Sequence, residues 1–212
     1  MDKTYEFQLD RHQAHFLFKP LRKKQDAVRI LLEAIKIMLV YEEPAPRHQG
    51  VGKFVLKISK MSRLVFEGSG KIFSINFPFK VVDDAGFLRF FTSTEVELDS
   101  FLTSEVMAFI SEDGVIYSDD FFDFASPIVD SNADKREFWL LVRELFFYED
   151  GYLRVDHDED NQDGHYHPLD HFDFFYSGNA TFKVGLVERY TIDNVLDVLD
   201  VTTPCHYLRS VQ

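Results

Sequence analysis

Hydrophobic and polar positions alternate in several short stretches of the chain, and this period of two is typical of β-strands. Strands are predicted over residues 54–58, 64–66, 72–77 and 87–91, and again over 152–157, 168–176 and 181–187. Turns rich in glycine, aspartate and serine separate them at 68–70, 83–86 and 177–179. A short strand is also expected at 115–117, and the tail over 202–208 is a candidate for a last one.

Apolar spacings of three and four residues predict helices. One such pattern follows Pro20 and reaches Leu39, and others cover 94–110, 135–148 after a candidate cap at Asp134, and 192–199 after Thr191. Residues 3–18 alternate only loosely, so we expect an opening strand or an irregular arm there. The predicted class is α+β, with an antiparallel or mixed β-sheet and about three or four helices.

The length of 212 residues, with no repeat and no long linker, favours a single α+β domain over 1–212. We divide it into a helix-plus-sheet part, 1–130, and a helix-plus-hairpin part, 131–212. The 23 phenylalanines and 9 tyrosines indicate a large aromatic core, an apolar surface that binds a partner, or both.

The formal net charge of −13 changes which partners are expected. It opposes non-specific binding to nucleic acid, except through a local or metal-mediated site, and it suits a protein partner with a basic surface. The acidic and aromatic segment 119–124 is a candidate contact, although a loop packed over the core explains it equally well.

Two further features bear on the compartment. The single cysteine, Cys205, excludes an intramolecular disulfide and a cysteine-based zinc site. The N-terminus has no signal-like pattern, and the apolar stretch 30–41 is too short to span a bilayer. We therefore expect a reduced, cytoplasmic setting without a membrane partner.

Candidate chemistry is concentrated in the C-terminal third, where histidines at 165, 167 and 171 share the odd-numbered parity with Asp173. On a strand this parity places imidazoles and a carboxylate on one face, with aromatic side chains on the other. The neighbouring strands add further polar side chains to that face. The predicted face contains Arg154, Asp156, His165, His167, His171, Asp173 and Lys183.

Imidazole and carboxylate together suit a divalent metal ion such as Zn²⁺, Mn²⁺ or Fe²⁺, with Mg²⁺ a further candidate. We assign His167, His171 and Asp173 as candidate metal ligands and Asp156 or His165 as a candidate base. The catalytic group would be completed by Arg154 and Lys183, which would hold negative charge.

The same face also fits two interpretations without a metal. One is a polar sheet face whose histidines simply bond to neighbouring carboxylates, and the second is RNA cleavage by histidine. The loop 156–164 begins like a calcium loop, but Asn161 stands in place of the turn glycine and His167 in place of the bidentate glutamate. An EF-hand is therefore not predicted.

The run Leu153-Arg-Val-Asp-His, with His167-Pro-Leu-Asp-His-Phe-Asp173 after it, carries a resemblance. It resembles the RxDxx…HPxxHxD/H signature of small uncharacterised bacterial proteins, some of them encoded near toxin–antitoxin, restriction and phage-defence loci. The resemblance covers roughly residues 152–188. It implies a place in such a defence system more than it implies a particular reaction. It implies importance for Arg154, Asp156, His167, His171 and Asp173.

Two hypotheses follow. The first is a component of a phage-defence or toxin–antitoxin system that acts by binding a protein, which the charge and the lack of a complete catalytic motif favour. The alternative is a metal-dependent hydrolase, a phosphodiesterase or nuclease, that uses the histidine and aspartate face of the C-terminal hairpin.

Overall fold

A computed structural model describes residues 2–45, 51–68, 70–111 and 135–208. The described residues form ten β-strands and five α-helices, and every pair of adjacent strands is antiparallel. The α+β class with antiparallel sheets is therefore confirmed. The five helices exceed the predicted number because a short N-terminal helix was not expected.

The chain divides into two compact units. The first comprises Met1–Phe18, Glu43–Phe77 and Asp150–Gln212, and the second comprises Lys19–Glu42 and Pro78–Glu149. Each unit contains segments from both sides of residue 130. The two-part division at that residue stays a prediction.

The first unit is built on a seven-stranded sheet. Its strands are β1 (Lys3–Gln8), β2 (Lys53–Ile58), β3 (Arg63–Gly68), β4 (Lys71–Asn76), β8 (Leu153–His157), β9 (Asp170–Phe174) and β10 (Phe182–Gly185). They lie in the order β1-β2-β3-β4-β8-β9-β10. The predicted C-terminal strands are thus present, although β9 and β10 are shorter than the sequence pattern indicated. The pairing of β8 with β4 makes the C-terminal hairpin an extension of the N-terminal sheet.

One row of side chains crosses this sheet in register. Phe7, Phe54, Phe66 and Phe73 follow one another on β1 to β4, with ring centroids 4.8, 5.5 and 4.6 Å apart. Aromatic rings at such separations attract one another beyond the burial of their surface. The row continues with Arg154, Asp173 and Lys183 on β8 to β10, so it changes from aromatic to charged along its length.

The opposite face of the sheet is apolar. Residues such as Val65, Val155 and Phe172 pack there against Ile192 and Val195. The latter two belong to the last helix, Ile192–Val198, whose N-cap Thr191 was predicted correctly. The expected strand over 202–208 is wrong, since these residues form a turn followed by irregular chain.

The opening strand expected within residues 3–18 is present as β1, but the rest of that segment is not an irregular arm, because helix α1 (Arg11–Leu17) forms there. Its cap is a reciprocal pair of hydrogen bonds. The backbone N–H of Gln13 donates to the Asp10 carboxylate, and the backbone N–H of Asp10 donates to the side-chain oxygen of Gln13. After the helix, the Phe18 ring lies over Gly52, which precedes β2, and over Gly68 at the end of β3. A Cβ added at Gly68 would approach that ring to 2.7 Å, so a larger residue does not fit without rearrangement.

The described residues of the second unit form three helices and a small three-stranded sheet. The elements are α2 (Lys24–Leu39), β5 (Lys80–Asp84), β6 (Phe87–Phe91), β7 (Glu97–Leu98), α3 (Ser100–Phe109) and α4 (Arg136–Phe147); the last helix of the chain is α5. The strands lie in the order β5-β6-β7. The hairpin turn predicted at 83–86 is present, with Gly86 at φ 94°.

Two further predicted helices belong to this unit. The helix predicted to begin at residue 94 begins at Ser100, because Asp99 caps it and the preceding residues form a turn and β7. The helix predicted over 135–148 is confirmed as α4, and its expected cap Asp134 lies outside the described residues. The same holds for the predicted strand at 115–117 and for the acidic segment 119–124.

Candidate functional site

Five polar side chains meet on one face of the β8–β9–β10 region. The strand register pairs Arg154 with Asp173, Asp156 with His171, and Lys183 with Asp173. Because side chains alternate along a strand, all five project from the same face. We call these five residues the polar cluster; the parity of the sequence placed all of them on that face.

Ion pairs link the members of the polar cluster. An Nη2 hydrogen of Arg154 is donated to Oδ2 of Asp173. The same nitrogen lies 2.6 Å from Oδ2 of Asp156. On the other side, Nζ of Lys183 donates to Oδ1 of Asp173 at 2.8 Å. Asp173 therefore accepts hydrogen bonds from two cations, Arg154 and Lys183.

His171 is fully buried, and its tautomer follows from its neighbours. Its Nδ1 lies 2.7 Å from the Pro168 carbonyl oxygen, which can only accept, so Nδ1 carries a hydrogen and donates it. In the neutral ring, Nε2 is then left with its lone pair, and it accepts from Nζ of Lys183 at 2.8 Å. A histidine held by a backbone carbonyl in this way presents Nε2 as a metal ligand in many metalloproteins.

Asp156, His171 and Asp173 form a group that could hold a metal ion, since their candidate ligand atoms all lie within 4.8 Å of one another. The His171 Nε2 is 3.9 Å from an oxygen of each carboxylate. Metal bonds of about 2.0–2.2 Å in a tetrahedral site place ligand atoms about 3.4 Å apart. A small inward movement of the side chains would therefore suffice, and one imidazole with two carboxylates suits Zn²⁺, Mn²⁺ or Fe²⁺.

The polar cluster lies in a partly desolvated environment. Burial lowers the pKa of Arg154, but the neighbouring Tyr152, Asp156 and Asp173 outweigh this effect, so the pKa of the guanidinium is raised overall. Lys71, which is paired with Asp156 across β4 and β8, has a lowered pKa because of burial and of the nearby Arg154. Lys71 was not among the predicted site residues, because the pairing of β4 with β8 is long-range.

The polar cluster is buried on one side and partly exposed on the other. The His171 side chain is 0 % exposed and that of Asp173 is 7 % exposed, whereas the side chains of Arg154 and Lys183 are 33 % and 34 % exposed. The two cations thus form the solvent side of the polar cluster, and the carboxylate and imidazole lie beneath them.

Two predicted site residues lie outside this group, because β9 begins only at Asp170. His165 is exposed in the preceding turn. The ring of His167 packs edge-on against that of His171, with centroids 4.9 Å apart, but its Nε2 lies 3.3 Å from the carboxylate of Asp158 instead. His167 therefore lies beside the three candidate metal ligands and is not one of them. Asp156 is the third ligand, together with His171 and Asp173.

The opposite face of the same hairpin carries a histidine that the sequence analysis did not single out. His157 Nδ1 lies 2.8 Å from Asp170, and its Nε2 lies 3.2 Å from Glu159. These two hydrogen bonds raise the pKa of His157. A cavity of about 250 Å³ lies beside it, bordered by Arg189 and Thr191 among others.

None of the helices among the described residues is both long and apolar enough to cross a membrane. Comparison of the chain with protein-family models, with curated proteins and with solved structures finds no match. A functional assignment therefore depends on the geometry of the polar cluster.

Proposed function

We propose that this protein is a metal-dependent hydrolase of phosphate esters, in the class of phosphodiesterases and nucleases. Asp156, His171 and Asp173 are the metal ligands in this proposal, and Arg154 and Lys183 hold the negative charge of the substrate. A bound divalent ion would act as a Lewis acid on a phosphoryl oxygen.

One observation carries the proposal, namely the convergence of three ligand atoms within 4.8 Å, one of them the Nε2 of a fully buried histidine. Burying these groups together is costly unless they are paired or bind an ion. The hydrogen bond from Nδ1 to the Pro168 carbonyl leaves the lone pair on Nε2, which lies 3.9 Å from an oxygen of each carboxylate.

Charge balance supports an anionic substrate. Without a metal, the two aspartates are matched by Arg154 and Lys183. A divalent ion adds two positive charges, which a phosphate ester and the developing charge of its transition state would offset. In the hydrolysis, a water oxygen bonds to phosphorus, the bond from phosphorus to the leaving oxygen breaks, and the water's proton ends on the leaving group.

The experiment is a hydrolysis assay with bis(p-nitrophenyl) phosphate and with short DNA and RNA strands, in the presence of Zn²⁺, Mn²⁺ or Mg²⁺. We expect activity that chelation abolishes and that a metal restores, and a loss of at least a hundredfold in His171→Ala and Asp173→Asn. His206→Gln is the matched control, because His206 is an exposed histidine bound to Asp197. Hydrolysis that persists after chelation, or equal activity in His171→Ala, would contradict the proposal.

A second candidate function is protein binding in a phage-defence or toxin–antitoxin system of the cytoplasm. The net charge of −13 and the exposed rings of Phe146 and Phe147 on α4 favour it, since an interface to a basic protein needs acidic charge and apolar anchors. Co-expression with the products of adjacent genes, followed by gel filtration, tests it. A complex that Phe147→Ser disrupts supports this candidate, and a lone monomer beside every such product counts against it.

A further inference from the structure

Lys183 contacts two of the three candidate metal ligands in the polar cluster. Its Nζ lies 2.8 Å from Nε2 of His171 and 2.8 Å from Oδ1 of Asp173. Both residues are among the three candidate ligands. An ammonium group and a metal ion cannot share these partners, because each needs the same lone pair of His171.

The direction of the hydrogen bonds strengthens this conflict. His171 donates through Nδ1 to Pro168, so its Nε2 can interact with a cation only through the lone pair. The Lys183 ammonium has donors and no acceptor. Metal binding to His171 therefore requires Lys183 to leave.

Lys183 has a route by which to leave, whereas the ligands do not. Its side chain is 34 % exposed, while that of Asp173 is 7 % exposed. It also lies on β10, the last strand in the order of this sheet among the described residues. Movement of this side chain into solvent would free the lone pair of His171 and Oδ1 of Asp173 for an ion, while Arg154 keeps its contacts to Oδ2 of Asp156 and of Asp173.

We propose that Lys183 is a built-in placeholder cation, which neutralises the ligands while the metal is absent and is displaced when the metal binds. The proposal rests on the metal site described above and names how that site is regulated. Lys183 sets the metal affinity by competition, and its displaced ammonium lies next to the ion, where it can contact a substrate phosphate.

The test is titration of the whole protein with Zn²⁺ in a calorimeter, comparing the wild type with Lys183→Met. Removing the competitor is expected to tighten binding about tenfold or more, the equivalent of one hydrogen bond to a charged group. The control is Lys80→Met, since Lys80 is an exposed lysine paired with Glu95 at 3.1 Å in the second unit. Its Zn²⁺ affinity should equal that of the wild type.

The outcomes separate this inference from the proposed function. Equal affinity of the wild type and Lys183→Met overturns the placeholder role and leaves the metal site intact. If Lys183→Met binds Zn²⁺ and the wild type does not, the result supports the placeholder role and contradicts a metal-dependent activity of the wild type. If neither binds Zn²⁺, both proposals fail.

A second measurement does not depend on the folding of a variant. Reductive methylation of the wild-type protein, followed by mass spectrometry of the peptide containing Lys183, reports how accessible its amine is. Saturating Zn²⁺ is expected to increase methylation at Lys183 and to leave Lys80 unchanged. Methylation of Lys183 that stays the same or falls while Zn²⁺ is bound would overturn the displacement.

Discussion

Replacing Asp173 by asparagine is expected to destabilise the first unit, because this one carboxylate is the partner of two cations. Arg154 donates to one of its oxygens and Lys183 to the other. The substitution keeps the size and shape of the side chain but removes its charge. The lost stability therefore measures the electrostatic contribution and not a cavity.

The magnitude follows from the burial of the three groups. Breaking a fully buried ion pair costs about 3–5 kcal/mol, and losing an exposed one costs about 1 kcal/mol or less. The Asp173 side chain is 7 % exposed, but both cations are about one third exposed and can regain part of their hydration. We therefore expect a loss of about 2–3 kcal/mol in the free energy of unfolding.

Urea unfolding measures this change, provided that the two units are followed separately. The single tryptophan, Trp139, belongs to the second unit and reports on that unit by fluorescence. Hydrogen exchange of peptides within 150–185 follows the first unit, where we expect the loss. A matched exposed control is Glu97→Gln, whose carboxylate accepts two hydrogen bonds of 2.7 Å from Arg89 with both side chains nearly half exposed.

Two results would refute this reasoning. One is an Asp173→Asn protein whose β8 and β9 amides exchange as slowly as those of the wild type. The other concerns the double variant, in which Lys183→Met is added to Asp173→Asn. The second substitution removes a cation that has lost its counter-charge, so the double variant should lose less stability than Asp173→Asn alone. An equal or greater loss would refute the reasoning.

Three further predictions concern other parts of the chain. Phe66→Ala should lower the free energy of unfolding by about 3–5 kcal/mol, because the ring is fully buried between Phe54 and Phe73; urea unfolding that shows less than about 1 kcal/mol would argue against the aromatic row. Asp99→Ala should cost about 1 kcal/mol by removing the cap of α3, which thermal unfolding would detect. The hydrogen bonds from Arg89 lower the pKa of Glu97, so the stabilisation is present above the usual carboxyl pKa and is lost as the pH falls through the lowered value. An NMR titration should show the pKa of Glu97 rising in Arg89→Gln, and an unchanged titration would contradict the pairing.

The polar cluster was predictable from the sequence because a hairpin is local. Alternation alone puts Arg154 and Asp156 on one face of β8, and His171 and Asp173 on the same face of β9. His165 and His167 precede the predicted strand over 168–176, but the same parity was used to assign them to its face. Pro168 cannot donate to a ladder hydrogen bond, and its position between these histidines and β9 was the available signal of a strand boundary.

The burial of this face was not predictable from the hairpin. The pairing of β8 with β4, which lies far away along the chain and brings Lys71 opposite Asp156, was not predictable from it either. The helix α1 was likewise missed, although Asp10 and Gln13 have the spacing of a reciprocal cap. Local pattern therefore predicted which side chains share the face, whereas the place of the hairpin in the sheet depends on a long-range pairing.

The central claim, that Asp156, His171 and Asp173 bind a divalent ion, is tested most directly by anomalous diffraction. Crystals grown with Zn²⁺ or Mn²⁺ and measured at the absorption edge of the metal locate the ion without reference to activity. The account predicts one strong peak about 2.0–2.2 Å from Nε2 of His171 and from an oxygen of each aspartate, with Lys183 turned away. A peak only at other residues, or Lys183 still bound to His171 at saturating metal, would contradict it.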